Sequence, residues 1–100
     1  MALLTYSAAA IADLEDLTAF LAESDPLTAE LTFSLIDEAV SILKRHPMIG
    51  RPVENDLREL IISRGKTGYI ALYSYEPADD AVLILTIRHQ REAGYWRTQI

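Results

Sequence analysis

The sequence contains no cysteine, and no apolar run approaches the ~20 residues that a transmembrane helix needs. Disulfide bonds and thiolate metal sites are therefore excluded. The N-terminus also lacks the basic segment and the long apolar core of a signal peptide. We therefore expect a cytoplasmic protein that is not bound to a membrane.

Histidine is scarce, and the two copies are far apart. Neither His46 nor His89 has a partner one helical turn away, so we expect no metal site. The segment 64–67 (RGKT) resembles the end of a phosphate-binding loop, but Leu60 stands where that motif requires its first glycine. No nucleophile stands out beside a histidine and an acid, which argues against a hydrolytic triad. We predict no cofactor.

Basic residues are missing from the first 43 positions. Residues 1–43 carry eight acids and no lysine or arginine, a formal charge of −8. Residues 44–100 carry nine basic and seven acidic side chains, a charge of +2. A dipolar molecule of this kind can present one basic face to a partner. The alternative is an acidic helical layer that is simply solvated.

The acidic part is predicted to form two amphipathic helices. Ser7 suits the N-cap of a first helix of about 15 residues. Asp25-Pro26 suits the N-cap and first residue of a second, which runs to about Arg45. The apolar stripes are Ile11, Leu14, Leu17, Phe20 and Leu21 in the first helix, and Leu31, Leu35, Ile36, Ala39, Val40 and Leu43 in the second. A short connection between them predicts an antiparallel hairpin.

The second part is predicted to form a sheet. Segments 57–63, 69–76 and 81–89 are rich in β-branched and aromatic residues and read as a three-stranded antiparallel meander. Gly65, Gly68, Pro77, Asp79 and Asp80 mark its turns. Segment 3–6 is predicted to be an edge strand, and 46–53, with two prolines and a glycine, a loop. Residues 92–100 are predicted to form a short helix or a tail.

The predicted order is β-α-α-β-β-β over a single domain, residues 1–100. The class is α+β, with a helical hairpin packed on one face of a small, mainly antiparallel sheet. The sheet face that the helices leave open is the candidate working surface. On the central strand, Tyr69, Tyr73 and Tyr75 share one face by period 2. We favour sheet packing over a base-stacking platform for these tyrosines.

The two outer strands of the meander run in the same direction. Arg64 is therefore expected at the same end of the sheet as Arg88 and His89. Arginine offers forked donors for phosphate, and histidine and tyrosine can move protons near neutral pH. The full cationic and aromatic set comprises Arg58, Arg64, Lys66, Arg88, His89, Arg91, Tyr95 and Arg97. The alternative is that these are ordinary solvated turns and strand ends.

With these segments in place, the chain resembles the RelE/ParE superfamily of toxins from type II toxin–antitoxin systems. The resemblance covers nearly the whole chain and rests on four stretches and their order: HPMIGRPV, LREL, GYIALYSYE and LILTIRHQRE. It implies a plasmid-stabilisation toxin that a cognate antitoxin neutralises by folding on it. A toxin–antitoxin hetero-oligomer is a further implication.

The superfamily has two mechanistic branches. RelE-like members cleave mRNA in the ribosome, using arginines, lysines and a C-terminal tyrosine or histidine. The corresponding residues here are Arg64, Lys66, Arg88, Arg91 and Tyr95. ParE-like members act on DNA gyrase and are not known as nucleases. The resemblance does not decide by itself whether this chain is an enzyme.

Two features favour the ParE-like branch. Ribonuclease members often carry an arginine after the tyrosine that opens the central strand, whereas Ile70 follows Tyr69 here, and an apolar side chain cannot stabilise phosphate charge. The ending 87–91 (IRHQR) resembles the ParE ending valine-x-histidine-glycine-arginine, with Gln90 in place of glycine. The candidate contacts to gyrase are Arg88, His89, Arg91, Tyr95 and Trp96. The alternatives are an mRNA endonuclease and a non-toxic protein that retains antitoxin binding.

Overall fold

The computed structural model describes residues 1–64 and 67–90, and they form an α+β domain. The elements are β1 (Leu3–Tyr6), α1 (Ala8–Ser24), α2 (Pro26–Ser41), β2 (Arg51–Pro52), β3 (Leu57–Arg64), β4 (Thr67–Glu76) and β5 (Ala81–His89), with short 3-10 turns at Ile42–Lys44 and Glu54–Asp56. The predicted fold class and element order are confirmed. The short strand β2 lies inside the segment predicted to be only a loop.

The five strands form one mixed sheet in the order β1-β5-β4-β3-β2. The meander β3-β4-β5 is antiparallel throughout, and β1 joins β5 in parallel as the predicted edge strand. The turn between β4 and β5 contains Asp80 at a φ of 47°, a left-handed conformation that aspartate tolerates better than most residues. Among the described residues, no helix is long and apolar enough to cross a membrane.

Local sequence explains where the helices begin. The Ser7 hydroxyl accepts a hydrogen bond from the amide of Ala10 at 3.0 Å and so caps α1. Asp25 caps α2 by accepting from the amide of Leu27 at 3.1 Å, and Pro26 occupies the first helical position. A second bond, from the Thr28 hydroxyl at 2.7 Å, is the main reason that the pKa of Asp25 is lowered.

The second helix is shorter than predicted. It ends at Ser41 rather than near Arg45, and the chain tightens into a 3-10 turn before Pro47. This turn directs the carbonyl of Lys44 to the amide of Ala2 at 2.7 Å. The tightening therefore ties the start of β1 to the end of the helical hairpin.

The core lies between the helical hairpin and one face of the sheet. Ile36, Val40 and Leu43 are fully buried, and Tyr69 and Tyr73 pack with them, so the packing interpretation of the tyrosines is confirmed. The predicted stripes are only partly correct, because Ile11, Phe20 and Leu31 are 48%, 69% and 46% exposed. Ala10 is fully buried at the start of α1, a position that the apolar spacing did not indicate.

Candidate target-binding site

The site is the end of the sheet where β3 and β5 flank the beginning of β4. Tyr69 pairs with Ile62 on one side and with His89 on the other. Arg64 pairs with Thr67 at the same end. The prediction that β3 and β5 finish at the same end of the sheet is therefore confirmed at the level of the backbone.

A β-bulge in β5 decides which side chains this edge presents. The pairing of β4 with β5 runs in regular register from Glu76–Ala81 to Tyr73–Ile84, and then resumes at Leu72–Thr86. Leu85 is therefore an additional residue on β5, and beyond it the alternation of faces is inverted. As a result Ile87 is buried against the core and Arg88 is exposed.

Side chains from the start of α1 hold this bulge. The Ser7 hydroxyl donates to the carbonyl of Leu85 at 3.0 Å. The Asp13 carboxylate accepts from the hydroxyl of Thr86 at 2.6 Å and from the amide of Ile87 at 3.0 Å, both on the same oxygen. The first two turns of α1 therefore contact three successive residues of β5.

His89 closes the strand as a half-buried side chain. Its ring contacts that of Tyr69 edge to face, with centroids 5.5 Å apart and the planes at 82°. Arg88, one residue earlier, is exposed and lies opposite Ile70, which is only 4% exposed. The end of β5 therefore presents a solvent-accessible guanidinium beside a histidine whose ring packs on the sheet.

A cleft of about 360 Å³ separates this strand end from α1. Its lining residues combine two acids, two basic side chains and apolar groups: Asp13, Asp16, Leu17, Phe20, Ile87, Arg88 and His89. The cleft mixes both signs of charge. Among residues 1–64 and 67–90, no group of three histidine, aspartate or glutamate side chains lies close enough to hold a metal ion.

The structure locates part of the predicted site. Arg88 and His89 lie together at the edge, whereas only the backbone of Arg64 is described. Four candidates lie outside the described residues: Lys66, Arg91, Tyr95 and Trp96. The predicted helix or tail at 92–100 also lies outside them.

Arg58, one of the cationic candidates, has a structural role at the other edge of the sheet. Its guanidinium donates to the carbonyls of Met48 and Gly50, at 3.0 and 2.8 Å. Arg51 makes a salt bridge at 2.7 Å with Glu59, whose side chain is fully buried. These contacts join the segment 46–53 (HPMIGRPV), which contains β2, to the segment 57–60 (LREL) at the start of β3.

The surroundings of three tyrosine hydroxyls raise their pKa values. Burial, followed by the charge and hydrogen bond of Asp37, raises the pKa of Tyr6 well above its usual range. Burial also raises the pKa of Tyr73, whose oxygen accepts from the amide of Gly50 at 2.9 Å. The hydrogen bond to Asp80 raises the pKa of Tyr75. All three hydroxyls make hydrogen bonds within the fold.

A second cleft, of about 260 Å³, lies on the helical hairpin, and sequence reasoning did not indicate it. Its walls are mostly apolar, with acids at the rim: Tyr6, Ile11, Leu14, Glu15, Thr18, Phe33 and Asp37. Ile11 and Phe33 are 48% and 44% exposed there. The unexpected exposure of Ile11, which belongs to the predicted core stripe of α1, follows from its place in this cleft.

Comparisons with known proteins agree with this architecture. Residues 4–94 match the family described as the ParE toxin of the type II toxin–antitoxin system parDE. The chain is 36% identical over 80 residues to Toxin RelE3 of Caulobacter vibrioides. The aligned region covers 80% of this chain and 85% of that protein.

Solved structures show the same fold. The chromosomal ParDE toxin–antitoxin system of P. aeruginosa has a chain with a TM-score of 0.74 and 25% identity, covering 89% of this chain and 96% of that one. A chain of the toxin–antitoxin complex RelBE2 of Mycobacterium tuberculosis has a TM-score of 0.59 and 24% identity. The superposition covers 89% of this chain and 98% of that one. By the family match over most of its length, this chain belongs to the ParE toxin family of type II toxin–antitoxin systems.

Proposed function

We propose that the chain is a ParE-like toxin that inhibits DNA gyrase by protein–protein contact and is neutralised by a cognate antitoxin. The contact is made by the edge that carries Arg88 and His89, together with Arg91, Tyr95 and Trp96 beyond it. In this proposal the toxin acts in the cytoplasm, needs no cofactor and performs no chemistry. It forms a hetero-oligomer with its antitoxin and serves in plasmid stabilisation.

The observation that carries the proposal is the environment of Ile70. The ribonuclease branch of the superfamily often has an arginine at this point of the central strand. Here an isoleucine that is 4% exposed lies directly opposite Arg88. A buried apolar side chain offers no donor for a phosphate whose charge develops during cleavage. The neighbouring His89 ring packs edge to face on Tyr69.

The exposed Arg88 suits a protein contact. Arginine is enriched among the residues that dominate protein interfaces, because its fork and its alkyl stem both contribute on burial. Truncating such a residue typically weakens binding by about tenfold or more. We therefore expect Arg88→Ala to raise the concentration of toxin that halves gyrase supercoiling by about tenfold.

Arg45→Ala is the matched control, because it removes the same charge from an exposed arginine at the other end of the sheet. Arg45 follows Lys44, whose carbonyl holds Ala2 next to the start of β1, and Leu3 pairs with Ala81 at the beginning of β5. The control should stay within about twofold of the unmodified toxin. Unaltered supercoiling at a large excess of the unmodified toxin would refute the proposal.

The second candidate function is ribosome-dependent cleavage of mRNA. Its support is the 36% identity to a protein named Toxin RelE3. It assigns phosphate contacts and acid–base work to Arg64, Lys66, Arg88, Arg91 and Tyr95. It predicts cut mRNA after induction and loss of cutting in Arg91→Ala or Tyr95→Phe. Growth arrest with intact mRNA excludes it, and absence of arrest would leave a non-toxic antitoxin-binding protein.

The antitoxin is proposed to contact the helical hairpin at its apolar cleft. Glu15 and Asp37 flank that cleft, and residues 1–43 contain no basic side chain. This combination fits a segment with apolar side chains flanked by lysine or arginine. Phe33→Ser should weaken capture of the cognate antitoxin by about tenfold. Leu27→Ser, on the same helix and 61% exposed, is the control and should leave capture unchanged.

A further inference from the structure

The outer side of β5 is paired with another strand along only the first part of its length. From Ala81 to Ile84 it pairs with β1, which ends at Tyr6. Beyond that point β5 continues to His89 with no strand beside it on this side among the described residues. An uncovered edge exposes backbone donors that must find another acceptor.

Asp13 supplies the acceptor at this point. One carboxylate oxygen receives the backbone amide of Ile87 at 3.0 Å and the hydroxyl of Thr86 at 2.6 Å. These two residues immediately follow the bulged Leu85, whose own carbonyl receives the Ser7 hydroxyl at 3.0 Å. Hydrogen bonds to a carboxylate are stronger than neutral ones, so the aspartate holds the strand firmly just beyond the bulge.

The bulge determines which way Arg88 points. If the register of the first half of β5 continued, Tyr69 would pair with Arg88 instead of His89. Directly paired residues share a face of the sheet, and Tyr69 lies on the face covered by the helices. Arg88 would then be directed into the core and Ile87 out of it. The observed register, which Asp13 holds, places Arg88 in solvent.

We propose that Asp13 is a positioning residue for the target-binding edge. By holding the bulged register of β5, its carboxylate directs Arg88 outward and brings His89 opposite Tyr69. Asp13 itself contacts no target in this role. The inference rests on the proposed function, because it assumes that the edge carrying Arg88 is the part that inhibits the target.

The test compares Asp13→Ala with Asp16→Ala. Asp16 lies one turn further along α1 and lines the same cleft, so its removal makes the same change in charge there. Each purified variant is measured for thermal unfolding, for gyrase inhibition and for backbone amide exchange at Ile87 and Arg88. The ring-proton contacts of Tyr69 with His89 are followed by NMR, because a purely structural loss of stability would not alter them selectively.

We expect Asp13→Ala to inhibit gyrase about tenfold less well, to lose protection of the Ile87 amide and to change the Tyr69–His89 ring contacts. Asp16→Ala should keep the Ile87 protection and the ring contacts of the unmodified toxin, so any loss of inhibition in that variant measures the charge of the cleft and not the register of β5. Asp13→Asn keeps the shape and one neutral acceptor, so it should recover part of the inhibition. Equal inhibition by Asp13→Ala and the unmodified toxin would overturn the inference.

A second variant covers the case in which Asp13→Ala does not fold. Thr86→Val removes one donor to Asp13 at nearly constant volume and leaves the bond from the Ile87 amide. A folded Thr86→Val that loses inhibition severalfold supports the inference, whereas full inhibition together with unchanged ring contacts overturns it. If the unmodified toxin fails to inhibit gyrase, the proposed function fails. Unchanged Ile87 exchange and ring contacts in folded Asp13 variants would refute the positioning role alone.

Discussion

The position of Gly50 gives the most quantitative prediction for this fold, because a side chain there has no room. A Cβ added to Gly50 would lie 2.5 Å from the hydroxyl oxygen of Tyr73, 2.6 Å from the Cε1 of the same ring and 2.9 Å from the carbonyl oxygen of Glu59. Tyr73 is fully buried and the carbonyl belongs to β3, so neither can move aside cheaply. Gly50→Ala must therefore displace the loop that precedes β2.

Two contributions set the magnitude. Overpacking a well-packed core costs about 1–3 kcal/mol. Displacing the loop also breaks the bond from the Gly50 amide to the Tyr73 hydroxyl, which is 2.9 Å long and worth about 1 kcal/mol. We expect a loss of about 3 kcal/mol in the free energy of unfolding, or about 12–24 °C in Tm for a domain of this size.

The assay is urea and thermal unfolding followed by circular dichroism, with Tyr73→Phe and the double variant alongside. Tyr73→Phe should cost about 1 kcal/mol, because it removes only the hydroxyl. The double variant should lose about 1 kcal/mol less unfolding free energy than the two single losses added together. The hydrogen bond is lost only once, and the nearest clashing atom is gone. Met48→Ala, in the same loop and 57% exposed, should stay within about 0.5 kcal/mol of the unmodified protein. If Gly50→Ala matched that control, the steric argument would be refuted.

Three further predictions concern other parts of the fold. Arg51→Ala should lower the free energy of unfolding by about 2 kcal/mol, because the buried Glu59 carboxylate loses this salt bridge. The loss is smaller than the ~3–5 kcal/mol of a fully buried pair, because half of the Arg51 side chain is in solvent. A chemical denaturation series measures it, and an unchanged midpoint would contradict it. Ser7→Ala should cost about 1–2 kcal/mol, since it removes the N-cap of α1, and a Tm equal to that of the unmodified protein would show that the cap does not matter. The raised pKa of Tyr6 means that its contribution to stability is complete below its unfolded pKa of about 10 and is lost as the pH rises toward the folded value. Stability should therefore fall more steeply above about pH 10 in the unmodified protein than in Tyr6→Phe, and parallel curves would show that neither burial nor Asp37 raises the pKa of Tyr6.

The bulge at Leu85 illustrates the limit of sequence reasoning at the target-binding edge. Alternation along 81–89 is compatible with either face for Arg88, because the segment is apolar on both faces up to Leu85. The bulge becomes visible only when β4 is laid beside β5. Sequence reasoning singled out Arg88 and His89 by their chemistry, but it did not single out Asp13, whose place on α1 resembles that of any exposed acid.

Several features of this protein follow from local sequence alone. The caps at Ser7 and Asp25 set where the helices begin. Each side-chain oxygen accepts a hydrogen bond from a backbone amide only two or three residues away, so the contact is already present in the local sequence. The apolar segments and their turn residues established the meander and the α+β order for the same reason. The likeness to the toxin family depends on this order and on short stretches of sequence, so it too was readable before the structure.

Tertiary structure alone decided which side chains those elements present. Asp13 meets Thr86 across 73 residues, and Gly50 meets Tyr73 across 23. The exposure of Phe20 and Ile11, two residues of the predicted apolar stripe, is known only from the packed structure. These outcomes depend on register and packing between distant segments, whose energies no local pattern contains. The sequence therefore determined the elements and the family, and long-range packing determined which side chains lie on the face that we propose for target binding.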